Sequence, residues 1–196
     1  HFVLGRVAQE IKERFGPRAL YEDGLEVVTT LDLELQHEGE RVIERSVSEF
    51  EERSDGHNGA LFALDPRNGQ ILAYVGSRDY FRNDIEGRND NIVAQNSPGS
   101  TLKPFTYMAA FMRGWSTGTG IIDEPVKIID PATDKFFEPR NPGGEFHGIL
   151  PAREALGNSL NIPAFKTILF AGVNETVDLL KQVGFTTLNN PLGYGP

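Results

Sequence analysis

Apolar residues recur at helical spacing from the start of the chain. Phe2, Val3, Val7, Ile11 and Phe15 share one face of a helix predicted over residues 2–15, which Gly16-Pro17 ends. Over residues 24–30 the pattern changes to an alternating, β-branched run (Gly-Leu-Glu-Val-Val-Thr-Thr), and that predicts a strand. Asp32 fits the N-cap of a helix running to about Arg53, with Glu34 in its first turn. Leu35, Val42, Ile43, Val47 and Phe50 make the apolar side of that helix. Glu49, Glu51 and Glu52 belong to its solvated face.

Residues 60–64 and 70–75 are strand-like, and Asp65-Pro66-Arg67-Asn68-Gly69 joins them as a hairpin. Their nearly continuous apolar character predicts strands covered on both faces. Residues 77–97 are polar and rich in Asn, Asp and Arg, a long surface connection of the kind that often carries function. A helix is predicted from about Ser100 to Arg113. Beyond Gly114, Pro125, Pro131, Pro139 and Pro142 argue against regular structure. Residues 151–171 read as helical, and residues 174–183 as a further helix capped by Asn174 and ended by Gly184. Helices mixed with a hairpin make the class α/β, or α+β with antiparallel pairing.

Composition narrows the function classes. The 196 residues give room for one large domain or two small ones. With 39% hydrophobic and 24% charged residues, the chain has the balance of a folded, soluble protein. No apolar run reaches the ~18 residues of a membrane span. The net charge of −9 disfavours general nucleic-acid binding, which needs Lys and Arg against phosphate. Cysteine is absent, which excludes disulfides, Cys-based zinc sites and thiol catalysis. His1, His37, His57 and His147 are scattered, with no pair at metal-ligand spacing.

The candidate chemistry lies in Ser97-Pro98-Gly99-Ser100-Thr101-Leu102-Lys103-Pro104-Phe105. Pro98-Gly99 forces a turn, and Pro104 is tolerated only in a first helical turn, so Ser100 falls at a helix start. Lys103, three residues on, shares its face. A serine hydroxyl needs an adjacent base to become a nucleophile, and a lysine whose pKa burial has lowered can serve. The helix start also aims backbone N–H groups at a developing oxyanion. The alternative for the pair alone is an N-cap serine followed by a solvated lysine, since this spacing is a frequent coincidence. Asn158-Ser159-Leu160-Asn161, before Ile162-Pro163, is a second candidate: Ser159 could relay a proton while Asn161 holds a substrate amide. Its alternative is a polar loop that breaks a helix. His147 reads as a loop residue, Asp123-Glu124 as surface, and Trp115 and Tyr107 as core beneath the nucleophile helix.

Ser100-x-x-Lys103 followed 59 residues later by Ser159-x-Asn161 resembles the first two motifs of penicillin-binding proteins and serine β-lactamases. The resemblance covers essentially the whole chain. Gly24 to Asp32 with Leu35-Gln36 is similar to the lead-in of a class A penicillin-binding protein transpeptidase domain. Ala63-Leu64-Asp65-Pro66, Ile71-Leu72-Ala73 and Val75-Gly76-Ser77-Arg78-Asp79-Tyr80 resemble its hairpin, and Arg153-Glu154-Ala155-Leu156 its second-motif region. His1-Phe2-Val3 resembles the connector after a glycosyltransferase domain. Asn96 and Ser97 depart from the family, which more often has Arg and Gln there; Ser97 is a decoy, because the residue three further on is Ser100 and not lysine.

The resemblance implies a penicillin-binding-protein/serine β-lactamase-like fold, incomplete here. Residues 1–58 would be a connector helix, strand and lead-in helix, and residues 59–196 the first part of the transpeptidase domain. It implies D,D-transpeptidation of peptidoglycan stem peptides through a serine acyl-enzyme, with acylation by β-lactam antibiotics. Ser100 would be the nucleophile, Lys103 the base and Ser159 the proton relay, while Asn161 would bind the substrate amide. No metal or organic cofactor is implied. The parent protein is expected to be membrane-anchored, on the extracytoplasmic face of a bacterial cell membrane, with an upstream glycosyltransferase domain. The third motif, Lys-Thr/Ser-Gly, is absent from the sequence, which has 35 residues after Asn161, and is expected beyond the cut. One oxyanion-hole N–H would come from that motif. The isolated chain is therefore expected to acylate more slowly by roughly 10²–10³-fold. A D,D-carboxypeptidase or β-lactamase-like hydrolase on the same scaffold is one alternative, and a non-catalytic cell-wall scaffold another.

Overall fold

The structure, a computed structural model, describes residues 1–130 and 135–188. The chain forms two compact units, His1–Asn96 and Ser97–Pro196. The compactness division falls later than the boundary expected at residue 58. The hairpin packs on the helix before it, so the two share a unit.

In the first unit a π-helical stretch, Phe2–Val7, runs into α1, Ala8–Phe15, as the apolar spacing predicts. Gly16 ends it at φ +86°, a conformation a residue with a Cβ rarely adopts. A short helix, α2 (Ala19–Glu22), follows. The strand expected over 24–30 does not form a ladder. The segment is held beside β2 (Ile71–Val75) only near its end, where Thr30 Oγ1 donates to the Ile71 carbonyl at 2.7 Å and Asp32 N to the Leu72 carbonyl at 3.0 Å. Val28 stays 87% exposed, so β-branching favoured extension here without supplying a paired partner.

Asp32 caps α3, Leu33–Glu51, as expected, its Oδ1 accepting from Leu35 N at 3.1 Å. The hairpin also forms as expected, with β1 (Leu61–Leu64) antiparallel to β2 and Leu61 opposite Val75. Gly39 lets α3 lie close on it: a Cβ there would stand 3.2 Å from Leu61 Cδ2 and 3.3 Å from Val75 Cγ2. The expectation of two covered faces holds only for β2, where Ala73, Tyr74 and Val75 are buried. Phe62 and Leu64 of β1 leave nearly half their surface in solvent, because α3 covers one side alone.

The long connection is ordered by Arg78. Its guanidinium, with 7% of the side chain exposed, donates to both carboxylate oxygens of Glu44 at 2.8 Å, to Glu51 at 2.6 Å and to Ser48 at 2.9 Å. The hydrogen bond from Arg78 holds the Glu44 carboxyl at about 2, against an ordinary 4.5. A depressed carboxylate stabilises the fold above its unfolded value, and the contribution fades as pH falls from about 4.5 toward 2. Glu44 is 58% exposed, so solvent screening keeps the effect modest. The thermal stability of the first unit is expected to fall as pH drops through that window. Arg78→Met should be destabilised at neutral pH and lose that fall, because its carboxylates then gain from protonation. Parallel slopes for the two proteins would contradict this.

The second unit begins with a 3₁₀ turn, Gly99–Leu102, that continues into α4, Lys103–Met112. The proline-bearing stretch that the sequence left irregular contains strands. β3 (Gly120–Asp123) pairs antiparallel with β6 (Gly148–Pro151), and β4 (Ile128–Asp130) with β5 (Lys135–Phe137). Ile121-Ile122 and Ile128-Ile129 supply β-branched pairs, and Pro125 and Pro139 fall between or after strands, where no ladder N–H is missed. Pro131 lies outside the described residues. The helix expected over 151–171 is two helices, α5 (Ala152–Gly157) and α6 (Asn161–Ala171). Ser159, at φ +52°, breaks them. α7, Val173–Gln182, starts from Gly172 and not from an Asn174 cap.

α4 and α6 pack on each other. Tyr107 and Ile162 are fully buried, and the Trp115 ring stacks on Phe170 with centroids 4.6 Å apart. Each buried side chain of that size contributes about 1.5–3 kcal/mol by leaving water, which fixes the two helices that carry the candidate motifs. Among the described residues, no helix is long and apolar enough to cross a membrane.

Candidate active site

The turn before α4 places Ser100. Gly99 takes φ +51°, and Thr101 bonds back to the Pro98 carbonyl through its N–H at 3.2 Å and its hydroxyl at 2.5 Å. Residues three apart are nearly eclipsed in a 3₁₀ turn, so Ser100 and Lys103 lie on one side. Pro104 stands in the first turn of α4, where its missing N–H costs nothing. Ser100 is exposed and Lys103 half-buried.

Lys103 reaches across to the break between α5 and α6. Its Nζ donates to the Ser159 carbonyl at 2.5 Å, to Ser159 Oγ at 3.1 Å and to Asn161 Oδ1 at 2.6 Å. The positive φ of Ser159 brings its carbonyl and its hydroxyl to the same nitrogen. Three acceptors match the three hydrogens of an ammonium. Burial disfavours the charged amine and lowers the Lys103 pKa below the usual lysine value. Three of the four candidates, Lys103, Ser159 and Asn161, are therefore in direct contact. Ser100 is tied to them by its place one 3₁₀ turn before Lys103. The Lys103 backbone N–H donates to the Ser100 carbonyl, and among the described residues no side-chain hydrogen bond joins Ser100 to Lys103.

Asn161 is held from a second side. Its Nδ2 donates to the Arg140 carbonyl at 2.6 Å, and its backbone N to Asn141 Oδ1 at 3.0 Å. A groove of about 550 Å³ beside it is walled by Phe137, Arg140, Asn161 and Phe165.

A family model for the penicillin-binding protein transpeptidase domain matches residues 59–193. The chain belongs to that family. Penicillin-binding protein 1A of Pseudomonas aeruginosa is 32% identical to it over 126 residues, 64% of this chain and 15% of the relative. The crystal structure of penicillin-binding protein 1A from Haemophilus influenzae superposes over 99% of this chain and 42% of that one, with a TM-score of 0.83 and 21% identity. PonA1 of Mycobacterium tuberculosis, solved in complex with penicillin V, superposes over 94% of this chain and 46% of that one, with a TM-score of 0.73 and 27% identity. The chain thus spans less than half of each of these proteins.

In this penicillin-binding transpeptidase segment, sequence reasoning missed what surrounds Asn161. Asp123 was expected at the surface and is 1% exposed, because three donors stand in for water. Asn141 Nδ2 reaches both its oxygens at 2.8 Å, and the His147 backbone N and Nδ1 reach Oδ2 at 3.0 and 2.8 Å. Burial alone would raise the Asp123 pKa. The hydrogen bonds from Asn141 and His147 outweigh it and keep the carboxyl below its ordinary value. His147 is a half-exposed loop residue, as expected, though bonded to this buried carboxylate. Nothing periodic marks Asp123 or Asn141; Asn141-Pro142-Gly143-Gly144 looks like any turn.

Proposed function

We propose that this chain carries the acylation half of a D,D-transpeptidase that cross-links peptidoglycan stem peptides and is acylated by β-lactams. The observation that carries the reading is the Lys103 amine gathered with Ser159 and Asn161, one 3₁₀ turn from an exposed serine. The family membership and the penicillin V complex of the PonA1 relative support it.

In this reading Lys103 reacts as the neutral amine, its ammonium proton having passed to solvent. The neutral amine then takes the Ser100 hydroxyl proton as Oγ attacks the carbonyl between two terminal D-alanines. The oxyanion forms against the Ser100 N–H at the helix start. The C–N bond breaks, and the departing D-alanine takes a proton from Lys103 through Ser159 Oγ, 3.1 Å from Nζ. An amine of a neighbouring stem peptide attacks the ester. It loses a proton to the same relay, and Ser100 leaves with a proton restored. Asn161 already gives one Nδ2 hydrogen to Arg140 and one lone pair to Lys103, so one of each stays available for the substrate amide.

Incubating the full-length protein with a β-lactam is expected to add one inhibitor mass, mapped to the peptide that contains Ser100. An adduct on another residue, or none, contradicts the reading.

A further inference from the structure

The helix that begins at Asn161 has no side-chain cap of its own. Its first N–H groups are met by a residue 20 positions upstream. Asn141 Oδ1 accepts from Asn161 N at 3.0 Å and Ile162 N at 3.2 Å. Asn141 is 5% exposed and its amide can face only one way. A carboxylate offers no hydrogen, so the Nδ2 side must point at Asp123, and Oδ1 at the helix. Nδ2 also reaches the Glu145 carbonyl at 2.9 Å. Asp123 is itself locked by His147. The next residue back, Arg140, takes the Asn161 side-chain N–H on its carbonyl, which leaves Asn161 Oδ1 turned to Lys103.

From this chain of contacts we infer that Asp123 and Asn141 are positioning residues for acyl transfer: they set the backbone of Asn161 and, through its side chain, the place of Lys103. The inference rests on the acyl-transfer reading above. A displacement of about 1 Å in such a site costs up to roughly 10²-fold in rate, so the pair acts on the chemical step without touching substrate.

The test is stopped-flow acylation of the full-length protein by a β-lactam, separating the pre-covalent affinity from the chemical step, with folding followed by circular dichroism. Asn141→Asp puts two carboxylates face to face and is expected to slow the chemical step by roughly 10–100-fold while the pre-covalent affinity changes little. The reciprocal double variant Asp123→Asn/Asn141→Asp restores a donor facing an acceptor. Its residue 141 still receives Asn161 N and Ile162 N, and only the Glu145 carbonyl loses its partner. It is expected to recover most of the rate, which a purely structural role would not require. Asp123→Asn alone keeps the side chain's shape and serves where Asn141→Asp does not fold; a slower chemical step at unchanged affinity supports the inference. A folded Asn141→Asp or Asp123→Asn variant with the wild-type chemical step overturns it, and so does a folded double variant as slow as the single one. Wild-type protein in the same assay separates the two readings. An adduct on Ser100 with unaltered variants removes only the positioning role, whereas no wild-type adduct removes acyl transfer and the inference with it.

Discussion

Ser100→Ala in the full-length protein is expected to abolish both the covalent β-lactam adduct and peptidoglycan cross-linking, while Ser97→Ala leaves both intact. The two serines are three residues apart, and Ser97 has no lysine three positions further on. Ser100 lies in the 3₁₀ turn, Gly99–Leu102, that leads directly into Lys103, and Ser97 lies before that turn. Nucleophilic catalysis depends on forming a covalent bond, so removing the oxygen removes the pathway and not merely a contact. Losses on the order of 10⁶-fold follow when a serine hydrolase loses its nucleophile. Acylation is read by intact mass, cross-linking by analysis of the peptide products. Cross-linking unchanged in Ser100→Ala would favour a non-catalytic scaffold, and a lost adduct in Ser97→Ala would move the nucleophile.

Lys103→Gln is expected to slow acylation by roughly 10²–10⁴-fold, the usual worth of a positioned general base. Glutamine, one atom shorter, removes the base while leaving N–H donors on the side that faces the Ser159 carbonyl and Asn161 Oδ1. Lys103→Arg keeps the charge and cannot give it up, so it should be about as slow. The wild-type pH profile separates a base from a fixed cation. Burial lowers the pKa of Lys103, and attack needs the neutral amine. The acylation rate constant should therefore climb with pH and level off below the range of an ordinary lysine. Lys103→Gln should lack that climb. A wild-type profile that falls with rising pH, or a glutamine variant that keeps the climb, would assign the reaction to another base.

The local elements show where sequence reasoning succeeds. Asp32 caps α3 and Gly16 ends α1 because caps and turns depend on one or two residues and their immediate neighbours. The extended segment at 24–30 shows the opposite: β-branching gives extension, but a ladder needs a partner strand with free groups, and that is a matter of tertiary placement. The strands among the prolines were hidden for a related reason. Short β-branched pairs become strands only when another pair lies opposite, as Ile122 and Ile149 do across β3 and β6.

The sequence by itself determined the two motifs, the turn that puts Ser100 at a helix start, and the family they resemble, because each lies within a few consecutive residues. Only the tertiary structure decided that Lys103 meets Ser159 and Asn161. It also decided that a single helix over 151–171 would break at Ser159, and that Asp123 would be buried beneath Asn141. Those outcomes join residues 18 to 58 positions apart. They depend on how β3, α4 and α6 pack, and a buried carboxylate is tolerable only where packing brings enough donors to replace water.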